Sequence, residues 1–207
     1  MRLPRPWVTF TITGVTAAAW FGAVLFGAQD TVVAAAGFIP ARAALVAQPA
    51  EVVPFWATPL TSTLVHGSSL HLMMNLLLLL FCGRYVEAVL GRWLFLLLYI
   101  VCAYAGAAAF WLWHAGSLVV LIGASGAISG LLAAQALLFQ SDRTGRRGPS
   151  SDLLHALWLA AAWIGLQLLV GFADQGPISP EAHIGGFLAG LVLTRPLLRL
   201  RERARRH

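Results

Sequence analysis

The feature that most constrains this chain is a series of long apolar runs, each near the ~20 residues that an α-helix needs to cross a bilayer. Six can be read: Trp7–Phe26, Leu70–Leu90, Trp93–Trp113, Leu118–Gln140, Leu153–Phe172 and Ala182–Leu200. In hydrocarbon every backbone N–H and C=O must find a partner inside the protein, and runs of this length meet that demand as helices. The expectation is an all-α polytopic membrane protein, with six transmembrane helices forming a single domain over residues 1–207. Composition agrees. Hydrophobic residues make up 59% of the chain and charged residues 11%, where soluble domains average about 25% charged. A globule of this size cannot bury so much apolar surface, so lipid must solvate part of it. The same balance excludes disorder. The two cysteines, Cys82 and Cys102, exclude a disulfide scaffold; both stand in apolar runs and read as small buried hydrophobes.

The charges orient the bundle. All 14 cationic residues are Arg, and with the N-terminus in the cytoplasm thirteen of them fall on the cytoplasmic side, with only Arg42 opposite. This is a positive-inside asymmetry, and it places both termini in the cytoplasm: a short segment 1–6 and a basic tail 199–207. The net charge of +6 then reflects contact with anionic lipid headgroups rather than nucleic acid. The first run is longer than the 7–15 residues of a signal-peptide core and is kept as a helix. Residues 142–152, with three Arg, two Gly and Pro149, read as a cytoplasmic loop. The connection Gly27–Ser69 is too long for a turn and too apolar for a solvated loop, and is expected in or on the membrane interface.

Polar groups inside spans are functional candidates. On this topology the second, fourth and sixth helices all run inward from outside. They carry His71 and Asn75, Ser125, and His183 near their outer ends. His71 and Asn75 share a face by their i, i+4 spacing. Ser125 lies in Gly123-Ala124-Ser125-Gly126, which has two readings. Flanking glycines suit an activated nucleophile, because they let backbone N–H groups reach a reacting oxyanion. Gly126 and Gly130 also form a small-residue packing face. Gly186 and Gly190 form another, which His183 shares. Close packing of those faces would bring Ser125 and His183 within hydrogen-bond reach, so the two readings support one another. His71 and Asn75 read either as structural polar groups or as oxyanion donors. Glu181, two residues from His183, does not share its helical face, which favours a Ser–His dyad over a triad.

These residues resemble those of the rhomboid intramembrane serine proteases. His66-Gly-Ser-Ser-Leu-His71-Leu-Met-Met-Asn75 resembles the family's His…His-x-x-x-Asn pattern. Gly123-Ala-Ser125-Gly126 is similar to its nucleophile motif, and Ala182-His183-Ile-Gly-Gly-Phe-Leu-Ala-Gly190 to its catalytic-His helix. Gly83-Arg-Tyr-Val-Glu87 with Gly91 is similar to the family's second-helix ending. The resemblance implies a six-helix rhomboid-like bundle with a membrane-embedded first loop. It implies Ser125 as nucleophile and His183 as general base, with His71, Asn75 and the Ser125 N–H around the oxyanion. His66, Gly123 and Gly126 would be neighbours of the site, and Glu87 a structural hydrogen-bonding group. The fifth helix with the Phe172–Pro180 loop would be the substrate gate or cap. Three positions depart from the pattern: Ala57-Thr58 stand where many members have Trp-Arg in the first loop, and Ser129 stands where some members have a Tyr stacked on the His.

The function expected is therefore endoproteolysis of transmembrane protein substrates near the outer membrane face, through an acyl-enzyme. No cofactor or metal is expected. The rival in the same family is a non-proteolytic, client-binding rhomboid-like protein. A bis-His haem protein using His66, His71, His114 or His183 is disfavoured, because His66 and His71 are five apart and turn partly away from each other. The Arg-only, Ala/Gly/Leu-rich composition suggests a GC-rich bacterial genome, and so a bacterial cytoplasmic membrane.

Overall fold

The computed structural model of the chain describes residues 5–45, 50–144, 154, 157–165, 169 and 179–205. The loops expected at 142–152 and Phe172–Pro180 lie largely outside these residues, as do parts of the fifth apolar run. The described residues form helices α1 (Trp7–Leu25), α2 (Gln29–Ala36), α3 (Thr58–Thr61), α4 (Ser69–Leu90), α5 (Arg92–Trp113), α6 (Ser125–Thr144), α7 (residues 157–165) and α8 (Pro180–Ala204), with no strand among them. Three of them, α1, α4 and α5, are long and apolar enough to cross a membrane.

Local chemistry sets the ends of these helices. Ser68 caps α4, its hydroxyl accepting from His71 N at 3.1 Å, which satisfies one of the unpaired N–H groups of a first turn. Gly91 ends α4 at φ +81° and opens α5 directly, so the two helices are joined by one residue. Pro180 opens α8, where its missing N–H costs nothing.

The fourth apolar run departs from expectation. Its hydropathy predicts a helix from Leu118, but α6 begins only at Ser125. Ahead of it, Leu121 and Phe38 form an antiparallel bridge, with Phe38 N donating to Leu121 O at 3.0 Å and Leu121 N to Phe38 O at 2.8 Å. The preceding Leu-Val-Val-Leu-Ile is rich in β-branched residues, which favour extended backbone. Gly123, at φ +102°, then turns the chain into the helix. The long first connection is thereby stitched to the segment ahead of Ser125. It contains α2, α3 and 3-10 turns at Pro40–Ala44, Phe55–Ala57 and Ser62–Leu64. Its Phe38 is buried against Phe110 of α5, and Tyr104 of α5 donates to Trp56 O at 2.8 Å.

The main core joins α4, α5, α6 and α8 through Leu79, Phe95, Leu98, Ile128, Leu131 and Leu197. Glycines bring the backbones of α5, α6 and α8 together. A Cβ on Gly186 would overlap Gly126 O, and one on Gly190 would overlap Gly130 O. The helix α1 is held differently. It buries only Thr9 and Thr16. Its first turn is tied to the buried Glu87 of α4, which accepts from Val8 N (3.0 Å), Thr9 N (2.8 Å) and Thr9 Oγ1 (2.7 Å). A carboxylate at a helix N-terminus satisfies unpaired donors and opposes the helix dipole.

Candidate active site

The site lies where the N-termini of α4, α6 and α8 converge. Ser125 is the first residue of α6 and is buried, as is His183 in the first turn of α8. His183 Nε2 lies 2.8 Å from Ser125 Oγ. The proximity follows from the glycine contacts just described: with Gly186 against Gly126, the first turns of the two helices cannot be far apart. The first intrahelical bond of α6 runs from Ile128 N to Ala124 O at 2.9 Å. The N–H groups of residues 125–127 thus have no acceptor within the helix and lie at its positive end, beside the Ser125 hydroxyl.

His71 and Asn75 occupy the first two turns of α4. The His71 ring lies over Gly123: a Cβ there would stand 2.7 Å from both Cε1 and Nε2 of the ring. Gly123 therefore serves twice, through its positive φ and through the space it leaves for His71 next to Ser125. Its N–H donates to Ser62 O at 2.9 Å, which anchors the loop from below. Asn75 is buried; its Nδ2 donates to His71 O at 2.9 Å, and its Oδ1 has no partner. His66 precedes α4, is buried, and meets the His71 ring edge-on at 4.9 Å. Burial, with His71 adding to it, pushes the His66 imidazole down to about 3, so it is neutral at physiological pH. Gly126 lets Ala182 O and Gly106 of α5 approach.

Two features escape the sequence reading. Trp163 of α7 is buried beside the site. Its Nε1 donates to Ser129 Oγ at 2.5 Å, Ser129 Oγ donates to Ser125 O at 2.8 Å, and its ring centroid lies 6.0 Å from that of His183. An aromatic residue from another helix thus sits beside His183, while position 129, where some members of the family have a Tyr, carries the Ser that bonds it. Trp163 had no signal beyond being one aromatic residue in an apolar run. The second is the partner of Glu181. Its Oε1 lies 2.6 Å from Nε2 of His114, just past the end of α5, so this carboxylate is engaged with α5 and ties down the first turn of α8.

A family model described as "Rhomboid domain" matches residues 54–200, which include all the site residues above. The chain is 33% identical over 129 residues to "RHOMBOID-like protein 5" of Arabidopsis thaliana, covering 62% of this chain and 40% of that protein. It is 32% identical over 129 residues to "RHOMBOID-like protein 4" of the same plant, covering 62% and 31%. It is 28% identical over 157 residues to "Rhomboid protease AarA" of Providencia stuartii, covering 68% and 55%. The matches thus span about a third to a half of the length of these curated relatives.

Proposed function

The chain belongs to the rhomboid family, and from that premise we propose that it is an intramembrane serine endopeptidase acting through a Ser125–His183 dyad. The observation that carries the reading is the 2.8 Å approach of His183 Nε2 to Ser125 Oγ in a buried site. An imidazole with Nδ1 protonated accepts the serine proton at Nε2 as Oγ attacks the scissile carbonyl carbon. The new oxyanion is met by the Ser125 N–H, by the second Nδ2 hydrogen of Asn75 and by His71 over Gly123. Preorganised donors of this kind strengthen as charge develops on the oxygen. His183 returns the proton to the leaving amine, an ester to Ser125 remains, and His183 then deprotonates a water to release the acid.

Six apolar runs and the Arg asymmetry of the sequence support one orientation. Both termini are cytoplasmic, and the N-termini of α4, α6 and α8 are near the outer face of a bacterial cytoplasmic membrane. Substrates are transmembrane segments that enter past α7. A helical peptide bond is already hydrogen-bonded, so the cut site must unwind, and small residues of low helix propensity are favoured there.

The test is fluorophosphonate labelling of detergent-purified protein, together with cleavage of a model transmembrane substrate in proteoliposomes. Wild type should label and cleave, and Ser125→Ala and His183→Ala should do neither. A folded wild type that neither labels nor cleaves refutes the reading in favour of client binding, and a labelled Ser125→Ala refutes the nucleophile.

A further inference from the structure

A second site lies at the opposite end of the bundle. Where the N-terminus of α1, the junction of α4 with α5 and the last turns of α8 meet, a cavity of about 620 Å³ opens. Its wall includes the apolar Trp7, Leu90, Trp93 and Leu200 and three cations, Arg5, Arg92 and Arg201. Among the described residues none of the three pairs with a carboxylate. The one carboxylate in the wall, Glu87, is occupied by Val8 N, Thr9 N and Thr9 Oγ1. The Arg201 guanidinium is held in place: it lies on the backbone of Gly91, where a Cβ would stand 2.9 Å from its Cζ. Its Nε is buried without an acceptor. Arg5 and Arg92 lie over the rings of Trp7 and Trp93 at 5.9 and 4.9 Å, which fixes their direction without neutralising them.

A buried donor without a partner is costly, and the Arg201 Nε, with the exposed Arg5 and Arg92 beside it in a mostly apolar wall whose one carboxylate is already engaged, calls for an anion with an apolar body. We propose that this cavity binds one anionic phospholipid, its phosphodiester held by Arg5, Arg92 and Arg201 and its acyl chains lying along Trp7, Trp93 and Leu200. Guanidiniums match phosphate oxygens in forked geometry, and basic pockets between membrane helices on the cytoplasmic side suit anionic headgroups. The cavity differs from the diffuse basic tail because its cations come from three separate parts of the chain. A bound lipid would bridge the start of α1, the α4–α5 junction and the end of α8. Arg201 lies 18 residues along α8 from His183, roughly 27 Å at 1.5 Å per residue, so one helix carries a group of each site. The inference does not depend on proteolysis.

The test is retention of lipid by the full-length protein in detergent, measured by native mass spectrometry. Phosphatidylglycerol, phosphatidylcholine and inorganic phosphate are the probes, each compared across wild type, Arg92→Gln, Arg201→Gln and the tail variant Arg203→Gln. Wild type should retain one phosphatidylglycerol in preference to phosphatidylcholine, and inorganic phosphate should not displace it. Arg92→Gln and Arg201→Gln should each weaken retention about fivefold, the weight of one cation near a headgroup, and Arg203→Gln should leave it unchanged. Arg92 is exposed, so its variant reports even if Arg201→Gln fails to fold. Equal retention of the two lipids, or equal weakening by Arg203→Gln and Arg92→Gln, would overturn the site in favour of diffuse charge. Displacement by inorganic phosphate would overturn the lipid as its occupant.

Discussion

Gly186→Ala tests whether packing of α6 on α8 is what brings the proposed Ser125–His183 dyad together. The added methyl points at Gly126 O, well inside van der Waals contact. A backbone carbonyl in a helix cannot swing away as a flexible side chain would, so the two helices must part locally by about 1 Å. Ser125 precedes Gly126 directly and His183 is one turn before Gly186, so the separation falls on the proposed reacting pair. Their 2.8 Å hydrogen bond then stretches past the ~3 Å limit of a good O–H···N contact. Misplacement of about 1 Å costs on the order of 100-fold in rate, while overpacking costs roughly 1–3 kcal/mol of stability. The variant should therefore fold, with a Tm lowered by several degrees at ~2–4 °C per kcal/mol, and label with fluorophosphonate about 100-fold more slowly than wild type. Gly22→Ala is the control, because nothing lies within 4 Å of a Cβ there; it should be neutral or slightly stabilising. A folded Gly186→Ala that labels at the wild-type rate would refute the claim that these glycines set the Ser–His distance.

Three further outcomes follow from the same structure. Asn75→Ala, which removes a donor proposed for the oxyanion, should lower kcat by about 100-fold or more while Ser125 remains present, a loss read by cleavage kinetics on the model substrate. Glu87→Gln keeps one acceptor oxygen but turns an amide donor toward the α1 N–H groups. With charge-assisted bonds worth ~1.5–3 kcal/mol each, it should lower Tm and expose α1 to proteolysis, and Thr9→Val should cost much less in the Glu87→Gln background than in wild type. Trp163→Phe keeps a ring near His183 but loses the bond to Ser129, and should cost about 1 kcal/mol with a labelling rate within roughly tenfold of wild type; Trp163→Ala should cost ~3–5 kcal/mol and slow labelling further.

Much of this molecule is legible from local pattern. Apolar runs at bilayer length mark the helices because lipid and core alike demand internal pairing of the backbone, and α4 and α5 fall within one residue of their expected starts. The glycine faces on α6 and α8 are visible as Gly126/Gly130 and Gly186/Gly190, since small residues four apart share a helical face whatever they pack against. The start of α6 is not legible because hydropathy does not separate a buried extended run from a helix; the bridge that keeps this segment extended joins Leu121 to Phe38, 83 residues earlier in the chain.

What only the tertiary structure decided are pairings between distant segments. These include Trp163 with Ser129, Glu87 with the start of α1, and His114 with Glu181; for His183 and Ser125, whose approach the glycine faces foretell, the fold supplied the 2.8 Å distance. Arg5, Arg92 and Arg201 around one cavity belong with them. Periodicity carries the direction a side chain takes from its own helix, and that much is local. Which other side chain waits there depends on the crossing of helices whose backbones touch at a few glycines, and no single stretch of sequence contains that distance.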